Sequence, residues 1–148
     1  MLTSSLIHSR VESDAYDKVA RLLDIPWNGA SSGGQALEAF VNKDPATVPS
    51  IRLPLPSPGE IRFSYSGLKA AVKRASAGGG GVPDAGAGSS SLGETEKREL
   101  AKAFQIAAVG QLEEKTALTL QLLDKEGKEL SSLVVSGGVA SNQFLRQR

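Results

Sequence analysis

Leu133-Val134-Val135-Ser136-Gly137-Gly138-Val139-Ala140-Ser141-Asn142 is the stretch of this sequence best suited to hold a ligand. Leu133, Val134 and Val135 predict a short buried strand. Gly137 and Gly138 follow at its C-terminal end, directly before a helix that starts near Ser141. Strand ends and helix starts point free N–H groups into a crevice, and ligands of α/β proteins bind there. Gly137 and Gly138 let a ligand come against the main chain, and Asn142 offers a donor and an acceptor to a base or sugar edge. The same residues also fit a plainer arrangement, in which the glycines turn the chain and Asn142 faces water.

Asp17 lies one position past Tyr16 in an amphipathic helical pattern. Its carboxylate either meets a ligand or is solvated, the commoner fate of an aspartate. Gly34 and Glu38 are four apart at the start of a second helix and share its face. Gly34 permits close backbone approach there and Glu38 accepts from a sugar hydroxyl, although a helix-start glycine beside an exposed glutamate explains the pair as well. Phe63-Ser64-Tyr65-Ser66-Gly67-Leu68-Lys69 reads as a strand running into a helix start, with Lys69 at a phosphate or in water. Cysteine is absent and His8 is the single histidine. Thiolate nucleophiles, zinc–cysteine sites and two-histidine motifs are therefore not available to these 148 residues.

Periodicity shows the elements that must hold these residues. Tyr16, Val19, Ala20 and Leu23 fall at i, i+3, i+4 and i+7, one face of a helix from Val11 to Asp24 capped by Ser13 or Asp14 and broken by Pro26. A shorter helix opens at Gly33-Gly34 with Leu37, Phe40 and Val41 on one face. Pro45, Pro49, Pro54, Pro56 and Pro58 exclude a regular element between Asp44 and Pro58. Ile61, Phe63 and Tyr65 alternate with polar residues and predict a half-buried strand. A short helix with Leu68, Ala71 and Val72 follows, closing on Lys73 and Arg74. Residues 75–93, rich in Gly, Ser and Ala, predict a flexible insertion with little to bury. No strand leads into that stretch and no Lys-Ser or Lys-Thr pair closes it, so it is not a phosphate-binding loop.

Ser91-Leu92-Gly93-Glu94 has capping-box spacing and opens a long helix to about Lys125, with Leu100, Phe104, Ala107, Leu118 and Leu122 on one face and Gly127 as its stop. Gln111 and Lys115 interrupt that apolar stripe, as expected if the face is not buried along its whole length. The order of helices and strands is α/β in character.

Length and composition suit one soluble domain with a real core: 40% apolar and 22% charged residues in 148. Seventeen Lys and Arg against sixteen Asp and Glu leave a net charge of +1, which neither requires a nucleic-acid partner nor excludes a local basic patch. No apolar run is long enough to span a membrane. Met1–Arg10 has the pattern of neither a secretory signal nor an organelle presequence.

Five blocks, in this order, resemble the TsaD family of tRNA N6-adenosine threonylcarbamoyltransferases: Asp14 to Leu23, Gly33 to Glu38, Phe63 to Lys69, Ala103-Phe104-Gln105, and Ser136 to Asn142. The third and fifth are the most specific, and the wording of the fifth is most like the mitochondrial branch. The resemblance implies an actin-like, sugar-kinase-like fold of two α/β lobes around a nucleotide cleft, of which residues 1–148 would be an incomplete, central-to-late part. It implies transfer of a threonylcarbamoyl group from threonylcarbamoyl-AMP to N6 of the adenosine adjacent to the anticodon of tRNA.

By the same resemblance Asp17 matches an aspartate that binds the nucleotide-bearing substrate, Gly34 a glycine that admits it to the backbone, and Glu38 an acidic ligand of some branches. Asn142 matches the asparagine beside the adenosine moiety, with Gly137 and Gly138 shaping that pocket. Members also use a divalent metal of the iron or zinc class. Its histidine and aspartate ligands belong to segments expected before and after this chain, as does the phosphate-facing loop, so the chain alone is expected to be inactive. A homodimer, a mitochondrial location (otherwise cytoplasmic) and no membrane are further implications. The other reading is a non-catalytic nucleotide-binding or dimerisation module derived from this family and lacking its metal site. An actin-like kinase or carbamoyl-transfer relative would share the strand-glycine-helix element and is less expected to share the Phe63 to Lys69 block. Gln35 stands where the family usually has proline, and Asn28 to Ser32 lengthens the turn before it.

Overall fold

Burying the Tyr16, Val19, Ala20 and Leu23 stripe organises the molecule. In the computed structural model, which describes residues 9–77 and 92–148, α1 spans Ser9–Leu22 and all of these side chains are buried. The helix begins before the expected Ser13 or Asp14 cap; Asp14 instead pairs with Lys18 one turn on, at 2.8 Å. It also ends before Pro26. The Asp24 N–H donates to the Arg21 carbonyl and the Ile25 N–H to the Ala20 carbonyl, with Asp24 left-handed at φ 50° and Ile25 buried behind it. That pair of bonds is a Schellman stop, with an aspartate in glycine's usual place.

α2 spans Gly33–Asn42, capped by Ser32 Oγ on the Gln35 N–H, and buries Ala36, Leu37, Phe40 and Val41. α3 spans Tyr65–Ser76 and buries Leu68, Ala71 and Val72. Ala75 and Ser76, at the start of the predicted insertion, are therefore its last turn; residues 78–91 lie outside the described ones. α4 spans Glu94–Lys125. Gly93 is its N-cap and donates its N–H to Glu96 Oε2 at 2.8 Å, while Ser91 is outside the described residues. Gly127, at φ 66°, closes a second Schellman stop, with the Lys128 N–H on the Leu123 carbonyl. A 3-10 turn at Gly138–Ser141 and a last short helix, α5, at Gln143–Arg146 complete the order.

α1 packs on α2 and α3, α4 lies against α2 and α3, and the 3-10 turn rests on α1. Tyr16 and Phe104 meet edge to face at the centre, ring centroids 5.0 Å apart. No helix of the described residues is long and apolar enough to cross a membrane.

The proline-rich connection has no ladder to satisfy its backbone, and polar side chains of α4 do that work. Lys102 donates to the Pro45 carbonyl. Glu99 accepts from Ser50 N–H and Oγ, and Glu114 from the Gly59 N–H. Lys115 donates to the Ser57 carbonyl at 2.6 Å, and Gln111 Oε1 accepts from the Ser64 N–H at 2.8 Å. Gln111 and Lys115 therefore interrupt the apolar stripe for a reason opposite to the expected one. Both are fully buried, and it is Leu122, beyond them, that is exposed.

The expected strands are not present: among the described residues every regular element is helical. A strand needs a neighbour to take its N–H and C=O groups, and neither segment has one. In the Ile61–Tyr65 segment the Ser64 N–H donates to the Gln111 side chain instead, and Tyr65 has joined α3. Leu133, Val134 and Val135 run in no regular element and are 65%, 82% and 58% exposed rather than buried. The α/β class is thus not what the described residues display.

Candidate functional site

Asp17 anchors the site. Its Oδ1 accepts the Gly33 N–H at 2.7 Å, so a carboxylate from α1 holds the first turn of α2. The bond is possible only because residue 33 is glycine: a Cβ there would lie 2.5 Å from the Asp17 Cα and 2.7 Å from Oδ1. Gly34 is different, since a Cβ at that position would meet only ordinary contacts at 3.7 Å with Ser32 Oγ and Tyr16 Cβ. The two adjacent glycines divide the work, Gly33 for packing and Gly34 on open space.

The lengthened turn before them is fastened by Gln35. Its Oε1 accepts from both the N–H and the Oγ of Ser31, at 3.0 and 2.9 Å, while its own N–H reaches Ser32 Oγ. Proline could supply neither the side-chain acceptor nor the N–H.

Across from α2 stand the 3-10 turn and α5. Gly137, at φ 87°, turns the chain into them. Asn142 is the N-cap of α5, its Oδ1 accepting from the Leu145 N–H at 3.0 Å. Glu38 Oε1 accepts from the Gln143 N–H at 2.6 Å and the Phe144 N–H at 3.3 Å.

Between these walls lies a cleft of about 500 Å³. Asp17, Gly34, Glu38, Gly138 and Asn142 all line it, so every predicted site residue but Gly137 opens on one space. Gly137 shapes the turn and does not line the cleft. Lys69 is not there either; it sits 3.7 Å from Asp14, which Lys18 also holds. Those lysines, Lys18 foremost by its hydrogen bond, keep the Asp14 carboxyl below its ordinary value of 3.8. Sequence reasoning missed the cleft's Ser31, Gln35 and Val109. The departure of Gln35 from the usual proline was the available signal for the first two; Val109 carried none.

Among the described residues the lining includes the carboxylates of Asp17 and Glu38 and no lysine or arginine. Such a wall accepts hydrogen bonds and repels phosphate. It suits hydroxyls, amines and ring edges. No three His, Cys, Asp or Glu side chains gather among the described residues to hold a metal ion.

Comparison with known proteins places the same residues in a family. The family model described as TsaD, tRNA N6-adenosine threonylcarbamoyltransferase, matches residues 6–148. Curated relatives of that name include a protein of Chelativorans sp. (strain BNC1), 37% identical over 137 residues, and one of Bartonella tribocorum, 36% identical over 143 residues. A third, from Zymomonas mobilis, is 31% identical over 134 residues. Each match covers 90% of this chain but only 33%, 35% and 32% of those relatives, so the chain spans about a third of their length.

Proposed function

Starting from the fact that the chain belongs to the TsaD family of tRNA N6-adenosine threonylcarbamoyltransferases, we propose that it forms the nucleoside-binding part of such a transferase. The reaction moves the threonylcarbamoyl group of threonylcarbamoyl-AMP to N6 of the adenosine adjacent to the anticodon. The N6 amine forms a bond to the carbamoyl carbon, the bond from that carbon to the phosphate oxygen breaks, AMP leaves with the electron pair, and the amine gives up a proton. A mixed anhydride is reactive already, so the protein's task is to orient the two reactants and exclude competing water. No protein nucleophile is needed.

One observation carries this reading: Asp17, Gly34, Glu38, Gly138 and Asn142 converge on a cleft whose charged side chains, among the described residues, are all acidic. The Asp17 carboxylate suits ribose hydroxyls. Asn142, with Oδ1 engaged on α5, has its NH2 to offer a base-ring or sugar acceptor, and Gly34 admits the ligand to the α2 backbone. The phosphate of the substrate would then lie beyond the cleft. The divalent metal that the family resemblance implies finds no ligand set among the described residues. The two-lobed actin-like fold, tRNA as acceptor, a homodimer and a mitochondrial location belong to the same proposal.

Titration calorimetry with adenosine and with AMP tests it. Adenosine should bind, AMP should bind no more tightly, and Asn142→Ala should weaken adenosine by about tenfold, the size of one or two lost hydrogen bonds. Failure of both ligands to bind would end the nucleoside reading. Formation of modified tRNA from threonylcarbamoyl-AMP, by a protein extended to the relatives' full length, separates an enzyme from a binding module.

A further inference from the structure

We infer that Glu38 is a positioning residue: its carboxylate braces α5 across the cleft and so holds Asn142 at the ligand. The inference rests on the nucleoside-binding reading for its ligand, but the brace is visible in the protein alone. α5 begins at Gln143, directly after its N-cap Asn142. Its first N–H groups lack helical partners, as at any helix start. Glu38 Oε1 takes those of Gln143 and Phe144, and Asn142 Oδ1 takes that of Leu145. The side chain that faces the ligand and the side chain that braces the turn thus divide one set of donors between them.

Among the described residues, few other polar contacts tie this segment to the helices. The chain that leads into it, around Leu133 to Val135, is exposed and forms no regular element. Ser141 Oγ on the Gly138 carbonyl and Arg146 Nε on the Ala140 carbonyl are bonds within the segment itself. The 3-10 turn touches α1. Arg148 pairs with Glu113 of α4 at 2.9 Å, but that pair is half exposed and contributes little. Glu38 is the charged acceptor that joins α5 to α2, and one oxygen serves two donors, as a carboxylate can. Its distance to the Gln143 nitrogen, 2.6 Å, is that of a strong, charge-assisted bond. Freed from it, Asn142 would keep its place in sequence and lose its place in the cleft.

The test is residue-resolved amide hydrogen exchange by NMR on the whole chain without ligand, together with adenosine affinity, for the wild type, Glu38→Ala and Glu38→Gln. Glu38→Ala should speed exchange at Gln143 and Phe144 by about tenfold, as expected for loss of a charge-assisted bond, with the α1, α3 and α4 amides unchanged. Adenosine affinity should fall by a similar factor. Glu38→Gln, which keeps the Oε1 acceptor, should recover most of both. Unchanged exchange at Gln143 and Phe144 in Glu38→Ala overturns the brace. Faster exchange with unaltered adenosine affinity overturns the positioning role. If the wild type binds no adenosine while the exchange pattern stands, the nucleoside reading fails and the brace survives.

Discussion

At the scale of single residues, the cleft depends on what Gly33 lacks. Its missing Cβ lets the Asp17 carboxylate reach an α2 N–H, and the neighbouring Cα is backbone that cannot step aside. Gly33→Ala should therefore force α1 and α2 apart and destabilise the protein by about 1–3 kcal/mol, as overpacking does. Gly34→Ala meets ordinary contacts and should leave stability unchanged or slightly raised, because alanine is the better helix former. Urea denaturation of both variants checks the contrast. If Gly34→Ala also lowers adenosine affinity with its stability intact, Gly34 serves the ligand. This division was not legible in sequence. Spacing set Gly34 and Glu38 on one face and the family motif drew attention to Gly34, but which glycine meets α1 depends on how two helices cross. Asp17 and Asn142 could be picked out in the sequence as candidate ligand groups, whereas their bonds to Gly33 and Leu145 needed the packed chain.

At the scale of elements, α4 serves as core helix for its first half and as a rack for the proline-rich connection. A sequence stripe shows where apolar residues fall, and it cannot show that a polar residue within it is buried because a distant loop needs a donor. Lys115 is the sharpest case, with none of its side chain exposed and bonds to the Ser57 carbonyl and Glu114. Ser57 is itself left-handed at φ 48°, so its carbonyl is held where ordinary backbone would not put it. The Glu60 N–H also reaches that carbonyl, so Lys115→Met removes a charged donor without leaving the oxygen bare. The expected loss is about 1.5–3 kcal/mol, read from chemical denaturation.

The same rack responds to acid. Lys115, by its hydrogen bond, and then the Gly59 N–H hold the Glu114 carboxyl below its ordinary value of 4.5. The Ser50 hydroxyl and N–H do the same for Glu99, also ordinarily at 4.5. A carboxyl depressed in the folded state stabilises fully above its unfolded value and loses that contribution as pH falls through the folded one. Melting temperature should accordingly be flat with respect to these groups above pH 4.5 and fall below it. The combined change Glu99→Gln and Glu114→Gln should reduce that fall. An identical acid slope in the double variant would mean that the connection is not held by these carboxylates.

At the scale of the whole molecule, sequence and structure part over the sheet, and the reason is instructive. Leu133-Val134-Val135 has strand composition, and strand composition expresses fitness for a pleated, half-buried surface rather than an autonomous preference. Without a neighbouring strand its backbone has nothing to pair with, and the segment lies open with Val134 82% exposed. The helices, by contrast, satisfy their own backbones, which is why α1, α2, α3 and α4 were readable from periodicity to within a few residues. The chain spans about a third of its relatives' length, and a two-lobed fold would supply the missing partner from the remainder. Burying Leu133, Val134 and Val135 would then contribute about 1.5–3 kcal/mol for each side chain. In a protein extended to the relatives' length, the amides of residues 133–135 should exchange far more slowly than in the 148-residue chain. Val134→Lys should accordingly be nearly neutral in the short chain, where the side chain already meets water, and strongly destabilising in the extended one, where it would bury an unpaired charge. Comparable exchange and comparable tolerance of Val134→Lys in the two proteins would show that this segment gains no strand partner in the longer protein, and would count against the two-lobed reading in this part of the chain.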